Sequence, residues 1–196
     1  MAAVPNYKEQ IHQELFDTLV RNNGVTVVAQ KTKLFRALNT GNPELTNMLE
    51  GGRLSNEETF LLLSLRFYIQ FATAQRYYEI EDGIMWTLYV GNKSMLGPIP
   101  LFCAPAGGGA CGWDAGMGAH VITNGVPSWN AVLMLAKPIK IEKNEHFSVD
   151  TEFYTFAVGA GGGGAGAINP LTTLNADVTL KIIKCFIGGV LERPVQ

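Results

Sequence analysis

Charge is what this sequence has least of. Asp, Glu, Lys and Arg make up 16% of its 196 residues, against about a quarter in ordinary globular domains. The net charge is only −2, and no cluster of Lys and Arg stands out. That excludes nucleic-acid recognition through a basic patch, since direct phosphate contacts require one. The chain has three cysteines, Cys103, Cys111 and Cys185, and no CxxC pair. They read as small buried hydrophobes in a reducing compartment, and a Cys103–Cys111 bridge would leave one thiol over.

Several other signals are missing. No stretch approaches the roughly 18 uninterrupted apolar residues of a membrane-spanning helix. The opening residues MAAVPNYKEQ carry no basic start followed by an apolar run, so the chain is expected to stay where it is made. The three histidines, His12, His120 and His146, lie in three separate segments with no HxH or HExxH spacing. No metal site is expected from them. There is no Gly-x-Ser-x-Gly, and no cysteine in a reactive setting. Neither a catalytic residue nor a cofactor is therefore expected.

Apolar residues are plentiful, at 47%, enough for one sizeable core. A surface so poor in charge and rich in glycine suits a chain whose outside contacts other subunits.

The 22 glycines cluster. In Val158–Asn169, VGAGGGGAGAIN, the spacing Gly159-x-Gly161-x-x-Gly164 matches a dinucleotide fingerprint. A phosphate site also needs a helix N-terminus after the turn. Here AINPLTTLNADV follows, with Pro170 and β-branched threonines, and no Lys-Ser/Thr pair. Gly107-x-Gly109-x-x-Gly112 matches too, again without a helix. Both matches read as composition. Bare backbone allows close approach, so Gly161, Gly162 and Gly163 are candidates for a subunit seam. A loose exposed loop is the competing reading.

Residues 6–23 predict an amphipathic helix. Ile11, Leu15, Phe16, Leu19 and Val20 fall at helical spacing, with Pro5 before and Asn22, Asn23 and Gly24 after. The expected organisation is a helical arm, 1–23, and a sandwich domain, 24–196. Ile11, Leu15, Phe16 and Leu19 would be the arm's contact stripe. Its polar face mixes Lys8 and Arg21 with Glu9, Glu14 and Asp17, unlike a basic membrane helix.

Beyond Gly24 the pattern turns to strands. Val25–Leu38 is rich in Val and Thr. Leu65, Phe67, Ile69 and Phe71 alternate with Arg66, Tyr68 and Gln70. Ile84, Trp86, Leu88 and Val90 alternate with Met85, Thr87 and Tyr89. Residues 130–141 predict a strand pair or one strand bent at Pro138. Phe147, Val149, Thr151 and Phe153 form the next. The step from Val178, Leu180 and Ile182 to Ile183, Cys185 and Ile187 predicts a bulge in the last strand. Six to eight strands with wide spacings predict an all-β, two-sheet jelly-roll β-sandwich with an N-terminal amphipathic helix.

Two other functions fit the residues less well. Arg76, Tyr77 and Tyr78 with Trp86, Trp113 and Trp129 could form a carbohydrate- or receptor-binding platform. Aromatics more often fill cores or interfaces, and Trp113 is a candidate interface residue. A glycosidase could use Glu79, Glu81, Asp82 or Glu50, because carboxylates pair in space. A cupin-like enzyme would need a His-x-His motif that is missing, although His120-Val-Ile-Thr-Asn124 echoes part of a second cupin motif. His120 could also pair with Asp114 at the surface.

The segment from Leu45-Thr46-Asn47 through Gly52-Arg53-Leu54-Ser55 leads into the strand Phe60–Ile69. It resembles the "TN, a few residues, G-x-L" connection before a long strand in single jelly-roll coat proteins of icosahedral bacteriophages. Lys140–Val149 resembles the acidic turn and Phe-x-Val strand near the end of such sandwiches. The resemblance implies a coat or cement protein without catalysis, assembled in the host cytoplasm and located in the virion. Its partners would be copies of itself, as trimers or larger capsomers, and other virion proteins.

Overall fold

The computed structural model describes residues 8–21, 31–36, 41–55, 57–70, 81, 83–108, 111–114, 120–126, 131–154, 156–157, 167–168 and 181–195. In chain order the strands are β1 (Lys8–Arg21), β2 (Lys31–Leu34), β3 (Thr59–Gln70), β4 (Ile84–Val90), β5 (Lys93–Pro100) and β6 (Cys111–Asp114). There follow β7 (His120–Thr123), β8 (Leu133–Ile141), β9 (Phe147–Phe153), β10 (Phe156–Ala157), β11 (Ala167–Ile168) and β12 (Lys181–Pro194). Two four-stranded antiparallel sheets, ordered β1-β12-β3-β8 and β2-β9-β4-β5, pack face to face as a β-sandwich. β6–β7 and β10–β11 form small separate ribbons. Among the described residues no helix is long and apolar enough to cross a membrane.

The expected helical arm is corrected to a sheet strand. β1 pairs with β12 along its whole length, from Lys8↔Pro194 to Arg21↔Lys181. Ile11, Leu15 and Leu19 are spaced by four, and a step of four stays on one face in both a helix and a strand. Those three residues therefore satisfy either period. Phe16 decides between them: a helix would put it beside Leu15, whereas the strand turns it to the opposite face. Pairing with β12 outweighs the poor strand propensity of Lys-Glu-Gln and Gln-Glu. β1 thus belongs to the sandwich.

The residues of β4 and β9 expected to face the core, Ile84, Trp86, Leu88 and Val90, then Phe147, Val149, Thr151 and Phe153, are all buried; in β9 the intervening Ser148 and Asp150 are buried too. Phe67 of one sheet meets Trp86 of the other, with ring centroids 5.6 Å apart. Burial of each such side chain contributes about 1.5–3 kcal/mol.

Val178 and Leu180, from which a bulge in the last strand was expected, lie outside the described residues, as does the side chain of Ile182; among the described residues the irregularity lies in β3. β12 keeps one phase, burying Ile183, Cys185, Ile187 and Leu191. β3 changes phase, burying Phe60 and Leu62, then Leu65, Phe67 and Ile69. The register jumps opposite Gly188 and Gly189. β8 is a single bent strand. Its pairing passes from Ile139 opposite Leu62 to Met134 opposite Ser64, with Pro138 in the skipped stretch.

A buried carboxylate ties the two sheets' connection to β1. Asp17 Oδ2 accepts the Phe35 N–H at 2.6 Å, and Oδ1 accepts the Thr18 N–H at 2.9 Å. Phe35 is buried with φ of 66°, a left-handed conformation that bulky residues avoid. The carboxylate holds it there. Asp17→Ala leaves a buried amide unpaired and is expected to cost about 2–3 kcal/mol. Thermal melts should show Tm lower by about 5–10 °C, with Asp17→Asn, which keeps one acceptor, in between.

Candidate functional site

The edges and outer faces of the two sheets are the surfaces to examine for a site. The free edge of β1 is bonded from within the chain over Glu14–Thr18. Asn47 Oδ1 accepts the Phe16 N–H at 2.8 Å, and Asn47 Nδ2 donates to the Glu14 carbonyl at 2.6 Å. Thr46 Oγ1 donates to the Phe16 carbonyl at 2.8 Å, and Thr18 Oγ1 donates to the Leu45 carbonyl at 2.6 Å. The Asn47 side chain thus imitates a neighbouring strand, covering an edge that would otherwise recruit another chain. Gly52, in the same connection, has φ of 70° and accepts the Phe147 N–H at 2.8 Å. A side chain there would crowd the Phe147 and Phe35 carbonyls.

The other edges are blunt. β8 carries Lys137, Pro138 and Lys140, and β5 carries Lys93, Pro98 and Pro100, all unfavourable to strand addition. β2 is only four residues long.

The outer faces differ in kind. On the β2-β9-β4-β5 sheet several polar groups pair with one another. Lys31 Nζ lies 2.5 Å from Glu152 Oε1 and 3.6 Å from Asp150 Oδ2, and Lys33 Nζ lies 3.7 Å from Asp150. Ser148 Oγ donates to Asp150 at 2.8 Å, and the Tyr154 hydroxyl donates to Glu152. Hydrogen bonds from Lys31 and Tyr154 hold the Glu152 carboxyl below its ordinary pKa, and the same bonds raise Lys31 and Tyr154.

The outer face of the β1-β12-β3-β8 sheet mixes aromatic with charged and polar side chains. Register places Phe16, Phe186 and Arg66 in one row, with Thr18, Lys184 and Tyr68 in the next row along. The Phe16 and Phe186 rings are 5.9 Å apart. Lys184 Nζ sits 4.7 Å from the Phe16 ring centre and Arg66 Cζ 4.8 Å from that of Phe186. Each such cation–π contact is worth about 0.5–1 kcal/mol at an exposed site. Arg66 also pairs with Glu14 at 2.6 Å. Beside this row an open groove of about 530 Å³ runs over the bare backbone of Gly188 and Gly189, walled by His12, Leu63, Arg66 and Met134. Met134 is 48% exposed and Tyr68 39%.

The residues expected at an assembly interface are dispersed by this geometry. Leu15 is in the core at 4% exposure, Leu19 packs against the core, and Ile11 is half-buried on the same strand face. Phe16 alone of the four turns outward. Trp113 lies in β6 opposite Val121; its side chain lies outside the described residues, as do Gly161, Gly162 and Gly163. Arg76, Tyr77, Tyr78, Glu79, Asp82 and Trp129 lie outside them too.

Trp86 is not available to a sugar platform: it is fully buried, and its Nε1 donates to the Pro100 carbonyl at 3.2 Å. Glu50 pairs with Arg53 at the surface. Asp114 stands opposite His120 in the β6–β7 register. Among the described residues no three His, Cys, Asp or Glu side chains gather to hold a metal. Cys103 and Cys185 are free, so no Cys103–Cys111 bridge forms, and Cys103 is exposed instead of buried. Burial pushes the Cys185 thiol well above its ordinary pKa.

No protein-family model matches the chain, and comparison with curated proteins and with solved structures gives no significant match.

Proposed function

We propose that this chain is a virion structural subunit, a coat or cement protein of single jelly-roll type, working by binding copies of itself and other virion proteins. The observation that carries this reading is the strand order. β1, β3, β8 and β12 make one sheet, and β2, β4, β5 and β9 the other. The chain crosses repeatedly between them, with its first and last strands paired at one side. That order fits a double Greek-key jelly roll, an architecture that serves viral capsid, lectin and cupin domains.

Fold alone does not select among those roles. The surface favours the structural one. Charge is sparse, the strand edges are partly covered or blunt, and one outer sheet face carries Phe16, Phe186, Tyr68 and Met134 among its polar groups. A lectin reading loses Trp86 to the core. On the proposed reading the protein turns over no substrate, makes no direct nucleic-acid contact, and is assembled in the host cytoplasm into trimers or larger capsomers.

Electron microscopy of the purified full chain tests this. Oligomers of fixed size or closed shells are expected. A field of uniform single subunits at high concentration contradicts the proposal.

A further inference from the structure

We propose that the groove over Gly188 and Gly189 binds a neutral saccharide. It is a ligand site within a single copy of the chain. It stands apart from the proposed assembly, and from the aromatic platform that burial of Trp86 rules out.

The groove opens where β12 carries no side chain and β3 takes up its extra residue. Gly188 lies between Glu14 of β1 and Ser64 of β3. A Cβ at Gly188 would lie 2.5 Å from Ser64 Oγ and 3.8 Å from Glu14 Oε1. The hydroxyl and the carboxylate oxygen therefore converge over bare backbone, where a side chain would fill the space. His12 and Arg66 flank them, and Leu63 and Met134 give the groove an apolar wall. Its volume of about 530 Å³ lies within the ~300–1,000 Å³ of small-molecule sites, which combine apolar walls with a few placed polar groups.

Those polar groups are fixed in position and still open to a ligand. Glu14 Oε2 accepts from Arg66 Nη2 at 2.6 Å, which leaves Oε1 over Gly188. The guanidinium also rests on the Phe186 ring, 4.8 Å from its centre. Arg66 Nε is buried without a partner among the described residues, although buried donors ordinarily have one. The side chains of Ser64 and His12 make no hydrogen bond among the described residues.

Charge selects the class of ligand. Glu14 and Arg66 neutralise each other, so an anion would meet the carboxylate and a cation the guanidinium. A neutral ring with adjacent hydroxyls suits both. One hydroxyl can donate to Glu14 Oε1 and accept from Ser64, while its neighbour accepts from Arg66. The C–H face of the ring then lies on Leu63 and Met134. A lipid tail would instead cover these polar groups without pairing them, which is costly.

Saturation-transfer NMR on the full chain tests this. The neutral probes are lactose, maltose and the methyl glycosides of mannose and N-acetylglucosamine, and glucuronate is the charged comparator. At least one neutral probe is expected to bind through its ring C–H protons, and more tightly than glucuronate. Ser64→Ala should weaken that binding about 3–10-fold and Glu14→Gln at least ~10-fold, the loss of one neutral and one charged hydrogen bond. Glu14→Gln also leaves Arg66 unopposed, so glucuronate should bind this variant better than the parent. Val126→Asp, at a position 79% exposed and outside both sheets, should bind as the parent does, and thermal melts check that each variant is folded. The proposal is overturned if no neutral probe binds, if binding survives both groove variants unchanged, or if the parent prefers glucuronate. None of these outcomes bears on the proposed assembly, which electron microscopy reads separately.

Discussion

Deleting residues 1–21 is expected to abolish the fold. β1 pairs with β12 along its whole length, so its removal strips one entire side of β12. Leu15 leaves the core, and deletion of a single buried leucine costs about 2–5 kcal/mol. Asp17 releases the Phe35 amide, and Thr46 and Asn47 lose the strand they cap. Together these losses exceed the roughly 5–15 kcal/mol by which domains are stable. Far-UV circular dichroism and amide dispersion by NMR should report an unfolded chain. A truncated protein with a native-like spectrum and a cooperative melt would mean that β1 is a dispensable arm after all.

Gly189→Ala is expected to be strongly destabilising. A Cβ at this position would stand 2.1 Å from the Leu61 carbonyl oxygen and 2.8 Å from Phe60 Cζ. Neither can withdraw freely, because Leu61 is backbone in the central β3 and Phe60 is buried. The register change between Gly188 and Gly189 is what brings the strands this close. Overpacking of this kind costs about 3 kcal/mol, or about 6–12 °C in Tm for a chain of this length. Gly108→Ala is the control. Its nearest neighbour would be the Val126 carbonyl at 3.7 Å, and its melt should match the parent's. Equal melts for both variants would place the β3–β12 irregularity elsewhere.

What the sequence made legible follows from how each strand is buried. β4 and β9 put apolar side chains on one face and polar or half-buried ones on the other, so Ile84–Val90 and Phe147–Phe153 alternate in plain view, although Ser148 and Asp150 of β9 are buried as well. The two-sheet sandwich could be inferred from them and from the strand count. β1 misleads because Ile11, Leu15 and Leu19 recur every four residues, a spacing common to both periods. β5 hides because Gly97, Pro98 and Pro100 read as loop, although an edge strand tolerates them. The bulge was assigned to β12 from its apolar phase, yet Leu63 and Ser64 of β3 take up the extra residue.

The surface was less legible than the fold. Asn47 owes its role to backbone groups of Glu14 and Phe16, about thirty residues earlier, and no local pattern reveals such a partner. Asp17 reads as part of a solvated helix face, whereas it is buried against Phe35. Phe16 was singled out as a contact residue of a helical stripe. It turns outward, half-buried, because a strand directs it away from Leu15. The Phe16–Phe186 pair joins residues from the two ends of the chain, and only the β1–β12 register makes them neighbours.

Sedimentation velocity of the purified full chain over a wide concentration range tests the central claim most directly. The protein is proposed to act through shape, by binding copies of itself. The boundary should then move to larger discrete species as concentration rises, with little change on adding salt, because the contact is mainly apolar. A single monomer boundary at every concentration would contradict that claim.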